Sequence, residues 1–402
     1  MTGVQTCALP ISISVHDVQR LAKNRLPAMA YDFIAGGCDD EFGLAASEAT
    51  FRDYRLAPRY FRDVSRPRMA ATVCDQTFAM PFGISPTGAA EMFRRGADAM
   101  LAAEAAAAHV PFILSSASNA SIEEIMKIAP DHTWFQIYGA RDRKIAEDMI
   151  RRAVDLNVKT LVVSLDVPIT SNRERNRRNR FSHPLRVTPS MIFQAITHPG
   201  WTMEYFGNGG LPTMGNWRPY AGKDATPQDV TEFFVTQFPA PALTWSALEA
   251  FRRLWPRKLL VKGVLHPDDG RQALDLGADG IIVSNHGGRQ LDRAPSPLEA
   301  LPGVVAAVGR QAEVMLDGGV RRGADIVIAR CLGASFVFAG RPTLYGAAAA
   351  GRAGVKKVLD IFAYELAVIL AQIGCADVAD LGPHYLLREA GRRLEAVGPS
   401  EG

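Results

Sequence analysis

Eight short apolar runs, most of them separated by helical patterns of about ten to twenty residues, constrain this chain more than any other feature. They are MPFGIS from Met80, PFILSS from Pro111, TWFQIY from Thr133, TLVVSLD from Thr160, KLLVKGV from Lys258, GIIVSN from Gly280, EVMLDGG from Glu313 and SFVFAG from Ser335. Each is strand-sized, and between them lie stretches such as GADAMLAAEAAAAHV and RKIAEDMIRRAVDL with helical spacing. Strand and helix in alternation build a parallel sheet covered by helices. Eight units predict an α/β fold closed as a TIM (β/α)8 barrel. An open doubly wound sheet uses fewer strands and starts with a GxGxxG turn that the first strand lacks.

The flanking sequence divides around that barrel. VHDVQRLAKNRLPAMAYDFIAGG, from Val15 to Gly37, predicts two helices, the second entered at Pro27 and stopped by Gly36 and Gly37. These are expected to cap the barrel. The division expected is an N-terminal helical cap over 12–79 and the barrel over 80–402, with the run Val355 to Gly374 as the eighth barrel helix or its extension. Residues 1–11, MTGVQTCALPI, look like an in-frame translation of a sequencing adapter and are set aside, with Cys7. One connection is abnormal: more than seventy residues separate Asp166 from the helix near Leu243, an insertion spanning 170–243. It opens with RERNRRNR from Arg173 and continues into the apolar and aromatic SMIFQAITHPGWTMEYF. Basic residues beside Trp201, Tyr205 and Phe206 suit an anionic membrane surface. A lid packed on its own barrel or on a neighbouring subunit suits them equally.

Composition excludes several classes. With 402 residues, 48% of them hydrophobic, a large core can form. A net charge of +3 is too mild to argue for nucleic acid. Five scattered cysteines without a CxxC pair indicate neither a metal site nor a disulfide framework, which suits a reducing compartment. No apolar run is long enough to span a bilayer, so a cytoplasmic protein is expected, with the inner face of the membrane as its surface if the insertion attaches.

In a TIM barrel the active site gathers at the C-terminal strand ends. Here those ends are polar almost throughout. Strand one ends in Pro86, Thr87 and Gly88; strand two in Ser115 and Ser116; strand three in Gln136 and Tyr138; strand four in Ser164 and Asp166. Strand five carries Lys262, and strand six runs into Ser284, His286, Gly287 and Arg289. Strands seven and eight end in Asp317, Gly318, Gly319, Val320, Arg321 and in Gly340, Arg341, where barrels often hold a phosphate on glycine amides and arginine. Singly, each has a plain structural explanation: Asp166 capping a loop, Tyr138 in the core, Lys262 in an ion pair, Arg173 in a solvated run. Together at one mouth they point to a phosphorylated ligand with many polar edges. His286 titrates near neutrality, and Arg289 offers a fork that matches a carboxylate.

The string SNHGGRQLD, set among these strand ends, resembles the signature of the FMN-dependent α-hydroxy acid dehydrogenase and oxidase family. SASNASIEE, the RER after strand four and the long insertion look closest to its mandelate and L-lactate dehydrogenase branch. The resemblance implies a tightly bound FMN and oxidation of an L-2-hydroxy acid to the 2-oxo acid. Electrons would leave to a quinone or other carrier. It implies His286 as the base, Asp166 as the carboxylate that orients it, Arg289 and Arg173 on the substrate carboxylate, Tyr138 as a substrate contact and Lys262 beside the flavin. The cofactor would touch Pro86, Thr87, Gly88, Ser115, Gln136, Ser164, Lys262, Ser284, His286, Gly287, Asp317, Gly318, Gly319, Arg321, Gly340 and Arg341. A homo-tetramer is implied too. Two positions depart from the family: Phe33 stands where a tyrosine usually contacts the substrate carboxylate, and Ala117 where soluble oxidases often have tryptophan. Gly88 occupies a position at which alanine tends to accompany oxidases. An oxidase producing hydrogen peroxide is one alternative, and a flavin-binding protein without turnover is another.

Overall fold

The computed structural model describes residues 12–180, 188–309, 311–390 and 393–397. The adapter-like opening lies outside the described residues. All eight predicted runs form strands: Phe82–Ile84, Phe112–Ser115, Thr133–Ile137, Thr160–Ser164, Lys258–Val264, Gly280–Val283, Glu313–Asp317 and Phe336–Ala339. Each pairs in parallel with the next, and the eighth pairs back to the first, so the barrel is closed. We number these barrel strands one to eight.

Alternation along the strands produces two environments. Ile113, Trp134, Val162, Leu260, Ile282, Met315, Phe336 and Phe338 meet inside the barrel, while their neighbours Phe112, Phe135, Leu161, Val163, Leu259 and Ile281 pack outward under the helices. Two residues further along, the same inward face carries Ser115, Gln136, Ser164, Lys262, Ser284 and Asp317. An apolar plug therefore gives way to a polar layer within one step of the strand period.

The floor of the barrel is closed by a feature absent from the expectation. An antiparallel hairpin, Ala71–Val73 with Gln76–Phe78, places Val73, Cys74 and Phe78 against the interior cluster. The first helix, Val15–Arg25, does not cap the barrel; it buries Val15, Val18 and Ala22 on the flank, where Gln19 reaches Tyr345 of the last long helix. That last helix, Arg341–Gln372, breaks at Ala350 and Gly351, and its second part is the run expected from Val355. The second helix, Ala28–Ala35, has Pro27 as its N-cap and ends at Gly36 as expected, but it lies over the barrel mouth, where its last carbonyls face Arg289 and Arg341.

A third N-terminal helix, Phe42–Ala49, was not expected. It is locked to the mouth by close backbone approach: Gly43 N–H donates to Asp292 Oδ1 (3.0 Å), and Asn285 Nδ2 donates to Ser47 Oγ (2.9 Å). A Cβ on Gly319, whose φ is +78°, would sit 1.8 Å from the Ser47 carbonyl oxygen, so only glycine fits there. Near the C-terminus, Leu386–Ala390 pairs with both Tyr54–Leu56 and Arg393–Ala396 in a small antiparallel sheet.

Over its described residues the insertion contains helices Glu174–Arg178, Pro189–Thr197, Pro199–Gly207 and Pro227–Gln237. Among the described residues no helix is long and apolar enough to cross a membrane.

Candidate active site

The polar layer is internally satisfied. Ser115 Oγ donates to Gln136 Oε1 (2.9 Å), and Gln136 Nε2 donates to Ser164 Oγ (3.0 Å), joining three strands. Lys262 Nζ lies 2.7 Å from Asp317 Oδ2 and donates to Ser284 Oγ (3.0 Å), which donates in turn to the same carboxylate (3.1 Å). Burial pushes the Lys262 ammonium down, but Asp317 and Asp166 outweigh it, and its pKa ends above the ordinary value. Ser115, Gln136, Ser164 and Ser284 thus form the floor of the cleft, in one layer with Lys262 and Asp317, which line it.

Above that floor, strand six runs into His286, Gly287 and Gly288 with φ of +56°, +65° and +69°. A histidine in the left-handed region is strained, and the turn is held by local bonds. The His286 N–H donates to Ser284 Oγ (3.1 Å), and the Gly288 N–H donates to Asn285 Oδ1 (3.1 Å). The turn aims the imidazole at strand four, where His286 Nδ1 lies 3.0 Å from Asp166 Oδ1. Gly263 makes room for that carboxylate: its φ is +96°, and a Cβ there would fall 2.5 Å from Asp166 Cγ. Burial lowers the His286 pKa; Asp166 pulls it up without restoring it, and Lys262 and Arg173 push it further down. Burial raises Asp166, yet His286 and Lys262 bring it below the ordinary carboxylate value. At neutral pH the pair is therefore a carboxylate and a neutral ring. Nδ1–H donates to the carboxylate, and the Nε2 lone pair is the basic atom.

Among the described residues five cationic side chains border the cleft: Arg173, Lys262, Arg289, Arg321 and Arg341. Lys262 has Asp317, and Arg321 Nη2 reaches Glu48 Oε1 at 2.7 Å. The other three are held by neutral oxygens. Arg289 Nη1 donates to the carbonyls of Phe33 (2.7 Å) and Gly36 (3.1 Å); Arg341 donates from Nε to Ile34 (2.9 Å) and from Nη2 to Gly36 (2.9 Å). Arg173 donates to Ser171 Oγ (3.1 Å) and Gln290 Oε1 (2.9 Å). Burial, reinforced by Arg173 and Arg341, drives the Arg289 pKa well below its ordinary value, and burial takes Arg341 down to about 10. Such a set is completed by an anion. Thr87 Oγ1 is also buried without a protein partner.

Pro86, Thr87, Gly88, Tyr138, Gly287, Gly318, Gly319 and Gly340 line the cleft with these groups, so the expected strand ends do converge. Burial raises the Tyr138 pKa, keeping the phenol protonated, and its ring packs 4.6 Å from that of Phe238. Sequence reasoning missed Met214, Phe234 and Phe238, which the insertion folds back over the cleft with no motif to announce them. It also passed over Asn285 and Gln290, which position the turn and Arg173, although both lie inside the string SNHGGRQLD.

A family model described as FMN-dependent dehydrogenase matches residues 22–388. The chain belongs to the FMN-dependent α-hydroxy acid dehydrogenase family. It is 39% identical over 376 residues to (S)-mandelate dehydrogenase of Pseudomonas putida, covering 94% of each chain. It is 37% identical to the L-lactate oxidase of Nostoc sp., covering 94% of this chain and 99% of that one. The crystal structure of the monotopic membrane protein (S)-mandelate dehydrogenase superposes with a TM-score of 0.90 at 39% identity, covering 94% of this chain and 100% of that one. Like the family, the chain is FMN-dependent, and the cleft suits such a cofactor: an unpartnered buried hydroxyl at Thr87, glycine turns at strands six and seven, and guanidinium groups without carboxylates.

The imidazole environment generates a titration prediction. A depressed pKa means the neutral, basic ring persists as pH falls past the ordinary value of 6.5. In the ligand-free protein, NMR of histidine-labelled chain should show His286 titrating below 6.5, and Asp166→Asn should move it lower still by removing the two contributions that raise it. Titration above 6.5 would contradict this picture of the pair.

Proposed function

We propose that the chain oxidises an L-2-hydroxy acid with an aryl or long side chain to the 2-oxo acid and passes electrons to a quinone or other carrier in preference to oxygen. The observation that carries this reading is the His286 ring held by Asp166 at 3.0 Å in a cleft that also holds two guanidinium groups, Arg289 and Arg173, with no carboxylate partner among the described residues. Arg289 and Arg173 clamp the substrate carboxylate, Tyr138 donates its hydroxyl to the substrate, and His286 Nε2 takes the proton. Asp166 then stabilises the imidazolium. When bound, FMN supplies the two-electron acceptor. Pro86, Thr87, Gly88, Gly287, Gly318, Gly319 and Gly340 would border it, and Lys262 offers a fixed positive charge to the reduced form. Arg341 is better suited than Arg321 to the phosphate, since Arg321 is already paired with Glu48.

Anaerobic mixing with a panel of hydroxy acids tests the reading. The best substrate should bleach the flavin, and His286→Gln should keep the yellow colour but slow bleaching by about a hundred- to ten-thousandfold. Unchanged single-turnover rates would remove His286 from the role of base. In the same panel, faster reoxidation by oxygen than by dichlorophenolindophenol would favour the oxidase reading, to which the Nostoc relative lends weight. Gly88 in place of the alanine that tends to accompany oxidases supports slow reaction with oxygen.

Phe33 supports the bulky side chain. Its ring lies under the Arg289 guanidinium (5.3 Å) and packs on Phe93 (5.8 Å), while Ala117 leaves room across the cleft. A missing hydrogen bond to a charged carboxylate costs about 1.5 to 3 kcal/mol. Burial of an aromatic side chain, at about 25 cal/mol per Å², can offset it. Phe33→Tyr should therefore raise kcat/KM for lactate about tenfold or more and leave an aryl substrate nearly unchanged. Wild-type preference for lactate or glycolate would defeat this account.

The insertion supports attachment to a membrane surface. Phe193 (67% exposed), Ile196 (72%), Met203 (69%) and Phe206 (66%) stand out on two consecutive helices. Their other side is anchored, with Trp201 Nε1 donating to the Met92 carbonyl (3.0 Å). The chain should co-sediment with phosphatidylglycerol vesicles, and Phe193→Asp with Phe206→Asp should release it while flavin bleaching stays normal. Equal sedimentation of both proteins would reject this face.

A further inference from the structure

A second cavity, of about 380 Å³, lies behind the active-site cleft. Tyr138, Val167 and Phe238 border both spaces, so one layer of side chains divides them. Its other wall is the outer face of strand four, at Val163 and Leu165, and one face of the Trp245–Leu254 helix, where Trp245, Leu248 and Phe251 recur every third residue. Leu243 closes the top by packing over Gly139, where an added Cβ would meet it at 2.4 Å.

The two spaces differ in charge. Among the described residues five cations border the first and none borders the second, whose one charged lining residue is Asp269. A hydroxy acid or 2-oxo acid, being an anion, has no partner there and would face a carboxylate. Tyr138, Phe238, Trp245 and Phe251 line it together with aliphatic side chains, and Ser164 and Thr244 add polar atoms, a mixture that suits a flat, neutral ring bearing polar edges. Position narrows the class further. A substrate clamped by Arg289 and Arg173 would have to thread the Tyr138 and Phe238 rings to reach this space, whereas electrons need only cross them.

We propose that this cavity binds the ring of a neutral quinone-type electron acceptor, which is reduced across the Tyr138, Val167 and Phe238 wall. The proposal rests on the FMN dehydrogenase reading above. The quinone would take two electrons across that wall and two protons from solvent and leave as the quinol, while the proton shed on reoxidation of the bound cofactor would go to solvent on the cleft side. The oxidised cofactor is then ready for the next hydroxy acid.

Duroquinone is a suitable probe, with the holoenzyme and two variants outside the substrate site, Ala240→Leu and Trp245→Phe. Duroquinone should quench tryptophan emission saturably in the wild type, and Trp245→Phe should abolish the saturable part. Ala240→Leu, which pushes a larger side chain into the cavity, should weaken quenching and raise the KM for duroquinone at least tenfold, with anaerobic bleaching by the best hydroxy acid and turnover with dichlorophenolindophenol both within twofold of wild type. If Ala240→Leu loses its flavin or fails to fold, the quenching in Trp245→Phe decides alone. Normal bleaching without quenching that depends on Trp245, or an unchanged duroquinone KM in a folded Ala240→Leu, overturns the proposal by itself. Slower bleaching in Ala240→Leu also overturns it, since the cavity would then serve the substrate. A wild-type flavin that no hydroxy acid bleaches overturns the dehydrogenase reading and the proposal with it.

Discussion

The barrel mouth depends on how two buried guanidinium groups are satisfied without being neutralised. A helix leaves its last carbonyls without partners and carries a partial negative charge at that end. The Ala28–Ala35 helix ends against Arg289 and Arg341, so the carbonyls of Phe33, Ile34 and Gly36 accept their N–H groups. Carboxylates in the same places would have cancelled the charge and left nothing for a ligand. Carbonyls satisfy the hydrogen bonds and leave the positive charge in place. An anion that binds here therefore stabilises the folded chain as well as filling a site.

The acidic groups are distributed to complement this arrangement. Asp317 is taken by Lys262, Glu48 by Arg321, and Asp166 by His286. Among the described residues none of them forms an ion pair with Arg289. Asp166 keeps one oxygen, Oδ2, buried without a hydrogen-bond partner among the described residues, and holds the imidazole through the other. That costs desolvation, and the close seat at Gly263 shows how tightly the backbone is drawn in around it.

Much of this was legible in the sequence because the strand period is two. Reading Ile113 to Ser115, Trp134 to Gln136 to Tyr138, Val162 to Ser164 to Asp166 and Ile282 to Ser284 to His286 moves up one inward face from apolar plug to polar floor to reactive rim. The pattern alone does not say how far down this face a ligand reaches, since Ser115, Gln136, Ser164 and Ser284 lie one strand step below the rim. What stayed hidden depends on distant partners. Three-residue strands such as Ala71–Val73 and Tyr54–Leu56 carry no period, and the latter pairs with residues more than three hundred positions away. The Phe42–Ala49 helix starts from Glu41 in a left-handed conformation without a side-chain cap, so no start signal marks it. Nor does sequence say that Arg321 will find Glu48 while Arg341 finds a helix end.

The insertion divides its attachments in a way that separates surface from pocket. Its first helices are tied to the N-terminal region and to the loop after strand one: Glu204 pairs with Arg25 and Arg94, and Gln194 Oε1 accepts from the Met29 N–H. Its second half is tied to the loops after strands two and three. Asn119 Nδ2 donates to the Thr213 carbonyl, Trp217 Nε1 to that of Ser116, and the Arg141 N–H to that of Gln237. Phe193, Ile196, Met203 and Phe206 belong to the first half, whereas Met214, Phe234 and Phe238 belong to the second. Each half is held by bonds of its own to the barrel, so the exposed apolar face can change its surroundings without unseating the side chains that close the cleft.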